Sequence, residues 1–147
     1  MLTPDQLGKV RIYNREFAKI GMNDVVLWDV MPIKHDQRLQ LIFESVGNER
    51  SQGVRLATKP DIIFEGKAYA AVKFWYGGQP NPIELKCRSR DGLLSIYNFF
   101  FDGHSEVSQT HTSGMLVEEI PSGRRYRCND YGLKATFDAL VFRLECI

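Results

Sequence analysis

Apolar residues near the N-terminus recur at spacings of three and four. Leu7, Val10, Tyr13, Phe17 and Ile20 form one stripe of this kind, the mark of an amphipathic helix. Thr3 stands where a cap belongs, Pro4 suits the first helical position, and Gln6 completes a capping box. Leu2 and Leu7 occupy the two staple positions, and Gly21 is a natural stop. The pattern predicts a helix over residues 3–20. Gly8 inside it costs about 1 kcal/mol relative to Ala, so the helix would lean on tertiary packing.

Beyond Gly21 the period falls to two. Residues 24–31 alternate and end at Pro32, and residues 39–46 alternate again. A polar stretch over 47–53 separates these from short strands at 54–58, 62–65 and 68–76, the last two flanking a tight turn at Gly66-Lys67. Residues 77–82 read as a loop. Ile83, Leu85 and Cys87 oppose Glu84, Lys86, Arg88 and Arg90, and Asp91-Gly92 then signals a type I′ hairpin into 93–101. Residues 102–114 are polar and read as a long surface loop. Residues 115–120 and 124–128 flank Pro121-Ser122-Gly123 as a further hairpin. The C-terminal stretch 133–147 fits either period, and Phe142 falling off the helical stripe favours strand.

These elements predict a β-dominated α+β domain. One N-terminal helix precedes an antiparallel sheet of about eight to ten short strands over 24–147, closed as a barrel or folded as a sandwich. The 147 residues suit a single domain, able to fold without a metal or disulfide. Hydrophobic residues make up 44% and charged residues 25%, so the chain is expected to be globular.

A formal net charge of +1 argues against a dedicated nucleic-acid or membrane-surface binder, and no apolar run approaches a membrane span. The three cysteines are odd in number and unpaired by spacing, and the N-terminus lacks the basic-then-apolar order of a signal peptide. Both features predict a cytoplasmic protein with free, buried thiols. No zinc pattern, nucleophile elbow, phosphate loop or dinucleotide fingerprint is present, so no cofactor is called for.

Four groups of residues remain as candidate chemistry. Asp102, His104, Glu106 and His111 share the long loop. Asp102, His104 and His111 would serve a divalent metal, or the two histidines an acid/base pair in RNA cleavage, with Arg124 or Arg125 steadying the phosphate. The bland reading is a solvated loop. His35-Asp36 sits in a turn, where neighbours usually face water. Lys86, Arg88 and Arg90 make one basic stripe, and Arg124, Arg125 and Arg127 a second. Together they would meet phosphate or an acidic protein if their strands lie close; otherwise Glu84, Glu118 and Glu119 neutralise an ordinary outer face. Trp75 shares its face with Tyr69, Ala71 and Lys73, which suits an exposed aromatic anchor.

A compact β-rich domain with mixed charge and no cofactor site has the general look of small bacterial or phage inhibitors and immunity proteins. That is an analogy of style rather than a family match. It predicts a non-enzymatic module that occludes a protein partner. An RNA binder or small ribonuclease-like toxin is the second reading. The third is a small-ligand binder, with Ala68, Ala70 and Ala71 leaving room inside a barrel.

Overall fold

Alternation over residues 39–43 and 83–89 becomes alternation of burial. The computed structural model describes residues 8–47 and 49–147. Its strands are β1 (Ile12–Tyr13), β2 (Val26–Pro32), β3 (Gln37–Val46), β4 (Gln52–Phe64), β5 (Lys67–Trp75), β6 (Ile83–Ser89), β7 (Leu93–Phe101), β8 (Glu106–Ser108), β9 (Gly114–Ile120), β10 (Gly123–Asn129) and β11 (Leu140–Cys146), with one helical turn, α1 (Arg15–Ala18). The pairings run β2-β9-β10-β11-β3-β6-β4-β7 and return to β2 through Asp29 opposite Ile96. The result is a closed antiparallel barrel of eight strands. Its strands feed one apolar core that includes Leu39, Leu41, Val54, Leu56, Leu85, Ile96, Tyr126 and Phe142. On β6, Ile83, Leu85 and Cys87 are buried while Glu84, Lys86 and Arg88 are exposed, as the period of two requires.

The expected helix over 3–20 does not form in its described part. Its cap and staple, residues 2–7, lie outside the described residues. Gly8 adopts φ +75°, Ile12 and Tyr13 pair with β2, and α1 spans four residues behind the cap Asn14. Only Phe17 of the expected stripe is buried among the described residues; Val10, Tyr13 and Ile20 are 41%, 47% and 53% exposed. The physical reason is tertiary. The Asn14 side chain accepts from Glu16 N and donates to the carbonyls of His111 and Ser113, tying the turn to a distant loop. Sheet pairing and these buried bonds outcompete a short isolated helix. Gly21, at φ +88°, does end the turn.

The Asp91-Gly92 hairpin is also corrected. β6 and β7 do not pair with each other. They follow one another along β4, with Pro60–Ile63 on β6 and Gln52–Ala57 on β7. They likewise follow one another along β2 and β3: Pro32 opposes Leu93, and Gln37 opposes Cys87. Only Gly92 takes a positive φ, whereas a type I′ turn needs two such residues. Ser89 Oγ accepts from Gly92 N and Leu93 N, and Ile33 N donates to Gly92 O at 2.8 Å. Residues 90–92 are therefore a jog within a long ribbon.

Two other hairpins stand. β4 turns into β5 at Glu65-Gly66, with φ of 49° and 79°, the I′ signature one residue earlier than expected. β9 turns into β10 at Pro121-Ser122. Over 133–147 only β11 is strand. Phe137 leaves the alternation at φ +55° and packs its ring 5.6 Å from that of Phe17 in a second small apolar cluster.

A buried charge cluster spans the thinnest seam. β2 and β9 share a single pair, Val26 opposite Met115. Beside it, Asp29 is fully buried and accepts from Arg11 Nε at 2.6 Å, Arg124 Nη1 at 2.9 Å and Tyr126 OH at 2.7 Å. Arg124 also donates to Val30 O, satisfying a backbone carbonyl at that seam. Burial opposes ionisation of Asp29. The bonds from Arg11 and Tyr126 and the charges of both arginines outweigh it and hold the carboxyl below its usual range.

Candidate functional site

The candidate basic residues are mostly engaged with acids. Arg124 is committed to Asp29 and Glu119. Arg125 lies on Glu44 and Glu118, and Arg127 donates to Thr136 O. On β6, Arg88 forms a two-pronged pair with Asp61, and Lys86 lies 4.0 Å from Asp36. Arg90 follows β6, is exposed, and has no carboxylate partner among the described residues. The two groups do not adjoin, because β11 and β3 separate β10 from β6. Their strands form a mixed-charge wall.

The long loop does not assemble its histidines into a centre. Asp102 accepts from the backbone N–H groups of Ser105 and His104, which holds its carboxyl below the usual range. Glu106 opens β8 and pairs with Lys73 at 2.6 Å. His104 and His111 are exposed on either side of β8. No group of three or more His, Cys, Asp or Glu able to hold a metal occurs among the described residues. His35 and Asp36 fill the turn between β2 and β3, with His35 Nδ1 3.1 Å from Ser89 O.

Trp75 lies on a more distinctive surface. Val54 and Leu56 of β4 point into the core, so Gly53, Arg55 and Ala57 face outward. Register then places their neighbours: Trp75, Lys73 and Ala71 on β5, and Phe99, Tyr97 and Ser95 on β7. Trp28 of β2 joins this face through Tyr97, with ring centroids 5.5 Å apart, and through a hydrogen bond from its Nε1 to Ser95 Oγ. The rings of Trp75 and Phe99 meet edge to face at 4.7 Å, Lys73 Nζ lies 5.7 Å from the Phe99 ring, and Arg55 stacks 5.2 Å from Tyr97. Gly53 makes this possible, because a Cβ there would sit 2.5 Å from the Phe99 ring. The outer face thus alternates aromatic rings with cations where a barrel exterior is ordinarily plain polar.

Among the described residues, the edge of this face is free. β5 stands off the barrel and pairs only with β4 among the described residues. Tyr76 N donates to Gln52 O at 2.7 Å. Bonded pairs alternate along an antiparallel ladder, so Phe74 and Val72 bond to β4 as well. The N–H and C=O groups of Ala71 and Lys73 therefore point away from β4. Trp75 O is already taken by Gly78 N.

At the other end of the face lies a hollow of about 320 Å³. β4 breaks register between Ala57 and Ile62, beside the jog at 90–92 and the turn at 33–36. Ala57, Ala71, Ser95, Trp28, Lys59 and Pro60 are among its lining residues. Ala68 and Ala70, expected inside the barrel, are exposed, and Ala70 and Ala71 line this outer hollow instead. Of this surface, sequence reading singled out Trp75. Trp28, Arg55 and Tyr97 lacked a signal, because they lie on three different strands and meet only through register. Comparison with family models, curated proteins and solved structures finds no match.

Proposed function

We propose that this protein is a small cytoplasmic binding module that captures an extended segment of a protein partner on β5 and occludes it, in the manner of an inhibitor or immunity-type protein. The observation that carries this reading is the edge of β5, where Ala71 and Lys73 present backbone donors and acceptors that are unpaired among the described residues. Such an edge is a ready template for strand addition, and natural barrels usually remove theirs. Trp75 and Arg55 beside it are of the residue types that dominate binding energy at protein interfaces. The unpaired thiols at Cys87, Cys128 and Cys146 suit a reducing compartment. No helix among the described residues is long and apolar enough to cross a membrane.

Proline distinguishes an edge contact from any other. Lys73→Pro deletes an N–H that faces away from β4, a position where a strand tolerates proline. A stoichiometric partner captured from host lysate by the wild type, and lost with both Lys73→Pro and Trp75→Ala, supports strand addition. Equal capture by Lys73→Pro sinks it. The same aromatic and cationic alternation favours a second reading, single-stranded RNA laid across the face. That reading requires oligonucleotide binding that falls steeply with salt.

A further inference from the structure

We infer that the hollow at the β4 register break is a binding site for a small planar anion, a ring carrying one phosphate or carboxylate. This inference stands apart from strand addition, since it uses the far end of the face and none of the β5 edge bonds.

Three observations build the site. The first is its frame. Three neighbouring chain segments leave regular pairing at one level, and they are bound together there: Arg90 N donates to Lys59 O at 2.8 Å, Ile33 N to Gly92 O at 2.8 Å, and Thr58 Oγ1 to Leu93 O at 2.7 Å. A bulge held on both sides by strands is a rigid recess, and bulges concentrate next to functional sites. The second is shape. Ala57, Ala71 and Ser95 keep the floor low, and Trp28 forms a wall locked by its bond to Ser95 Oγ. The volume of about 320 Å³ lies at the small end of the range for small-molecule sites, roughly 300–1,000 Å³. A single ring with one appended group is the natural size of occupant.

The third is charge. Lys9, Arg55 and Lys59 line the hollow and have no carboxylate partner among the described residues. Asp91, the one acid among the described lining residues, is already accepting from Leu93 N and Ser89 Oγ. By contrast, Arg88, Arg124 and Arg125 on the barrel wall are matched by carboxylates. Thr58 Oγ1 is spent on the backbone, which leaves the cations as the charged side-chain donors for a ligand, beside the Ser95 hydroxyl.

Trp28 and Trp75 are the two tryptophans, so Trp75→Phe leaves Trp28 as the sole tryptophan reporter. In that background, phenyl phosphate and adenosine 5′-monophosphate are titrated beside inorganic phosphate and phenol. The expected result is a saturable change in Trp28 emission at millimolar or tighter affinity for phenyl phosphate, at least tenfold weaker for inorganic phosphate and for phenol. Binding of the nucleotide as well would define a nucleotide site, and its failure alone a site for smaller aromatic anions. Arg55→Ala should weaken binding at least tenfold, and Ala57→Leu, which fills the floor on an outward position, should abolish it. Lys59→Ala provides the same test should Ala57→Leu fail to fold. No response to either aromatic phosphate overturns the proposal, as does binding unchanged in Arg55→Ala, Lys59→Ala and Ala57→Leu.

Discussion

Replacing Asp29 with Asn tests the charge cluster that closes the β2–β9 seam. The substitution keeps shape and removes charge. It leaves Arg11 and Arg124, whose side chains are 29% and 14% exposed, without the carboxylate they share. Removing one partner of a buried ion pair typically costs about 3–5 kcal/mol, because the other charge stays desolvated. Arg124 keeps Glu119 and Arg11 keeps some water, so the lower end applies, about 3 kcal/mol. In a domain of this size that corresponds to a fall in Tm of roughly 6–12 °C. Tyr126→Phe removes one hydrogen bond to a charged group and should cost less, about 1.5–3 kcal/mol. Urea unfolding followed by circular dichroism measures both. The pH dependence supplies a sharper check. The folded carboxyl titrates below its unfolded value, so its contribution is complete above about pH 3.9 and is lost as pH falls through the lower folded value. Wild type should therefore lose its advantage over Asp29→Asn in strong acid. A stability difference under about 1 kcal/mol at neutral pH, or one that persists unchanged to the lowest pH, would refute the assigned role.

The free edge of β5 makes a paired prediction for stability. Lys73→Pro should cost about 1 kcal/mol or less, chiefly its exposed ion pair with Glu106, while Val72→Pro breaks a ladder bond to β4 and should cost clearly more; equal losses in urea unfolding would put the edge groups on the wrong residues. Gly53→Val should destabilise by about 1–3 kcal/mol, because its side chain meets the Phe99 ring and Phe74 O, and an unchanged urea midpoint would contradict that packing. Burial pushes the Cys87 thiol up to about 12 and the Cys128 thiol well above its ordinary value, whereas Cys146 is half-buried. A thiol reagent at mild alkaline pH should thus modify Cys146 first and the other two only on unfolding, and mass mapping that finds Cys87 or Cys128 modified early would count against the core assignment.

Period-two patterning determined the strands, because alternation is written residue by residue and needs no knowledge of neighbours. The strands at 26–32, 37–46 and 83–89 were legible for that reason, whereas the strand at 93–101 and the Pro121-Ser122 hairpin were legible from turn chemistry. Partnership was not legible. Asp91-Gly92 has the local chemistry of a reversal, yet β4 and the β2–β3 run bind both flanks and keep the chain going forward. The apolar stripe at Leu7 to Ile20 has a helical period, yet pairing with β2 and the Asn14 bonds to a loop nearly a hundred residues away decide otherwise. The site followed the same division. Trp75 stood out as an aromatic among small and charged neighbours. Its companions Phe99, Tyr97, Arg55 and Trp28 come from three other strands and meet only through register, and the hollow beyond them exists only where three chain segments break pairing together. Local pattern sets which way each side chain faces, whereas non-local hydrogen bonding sets what it faces.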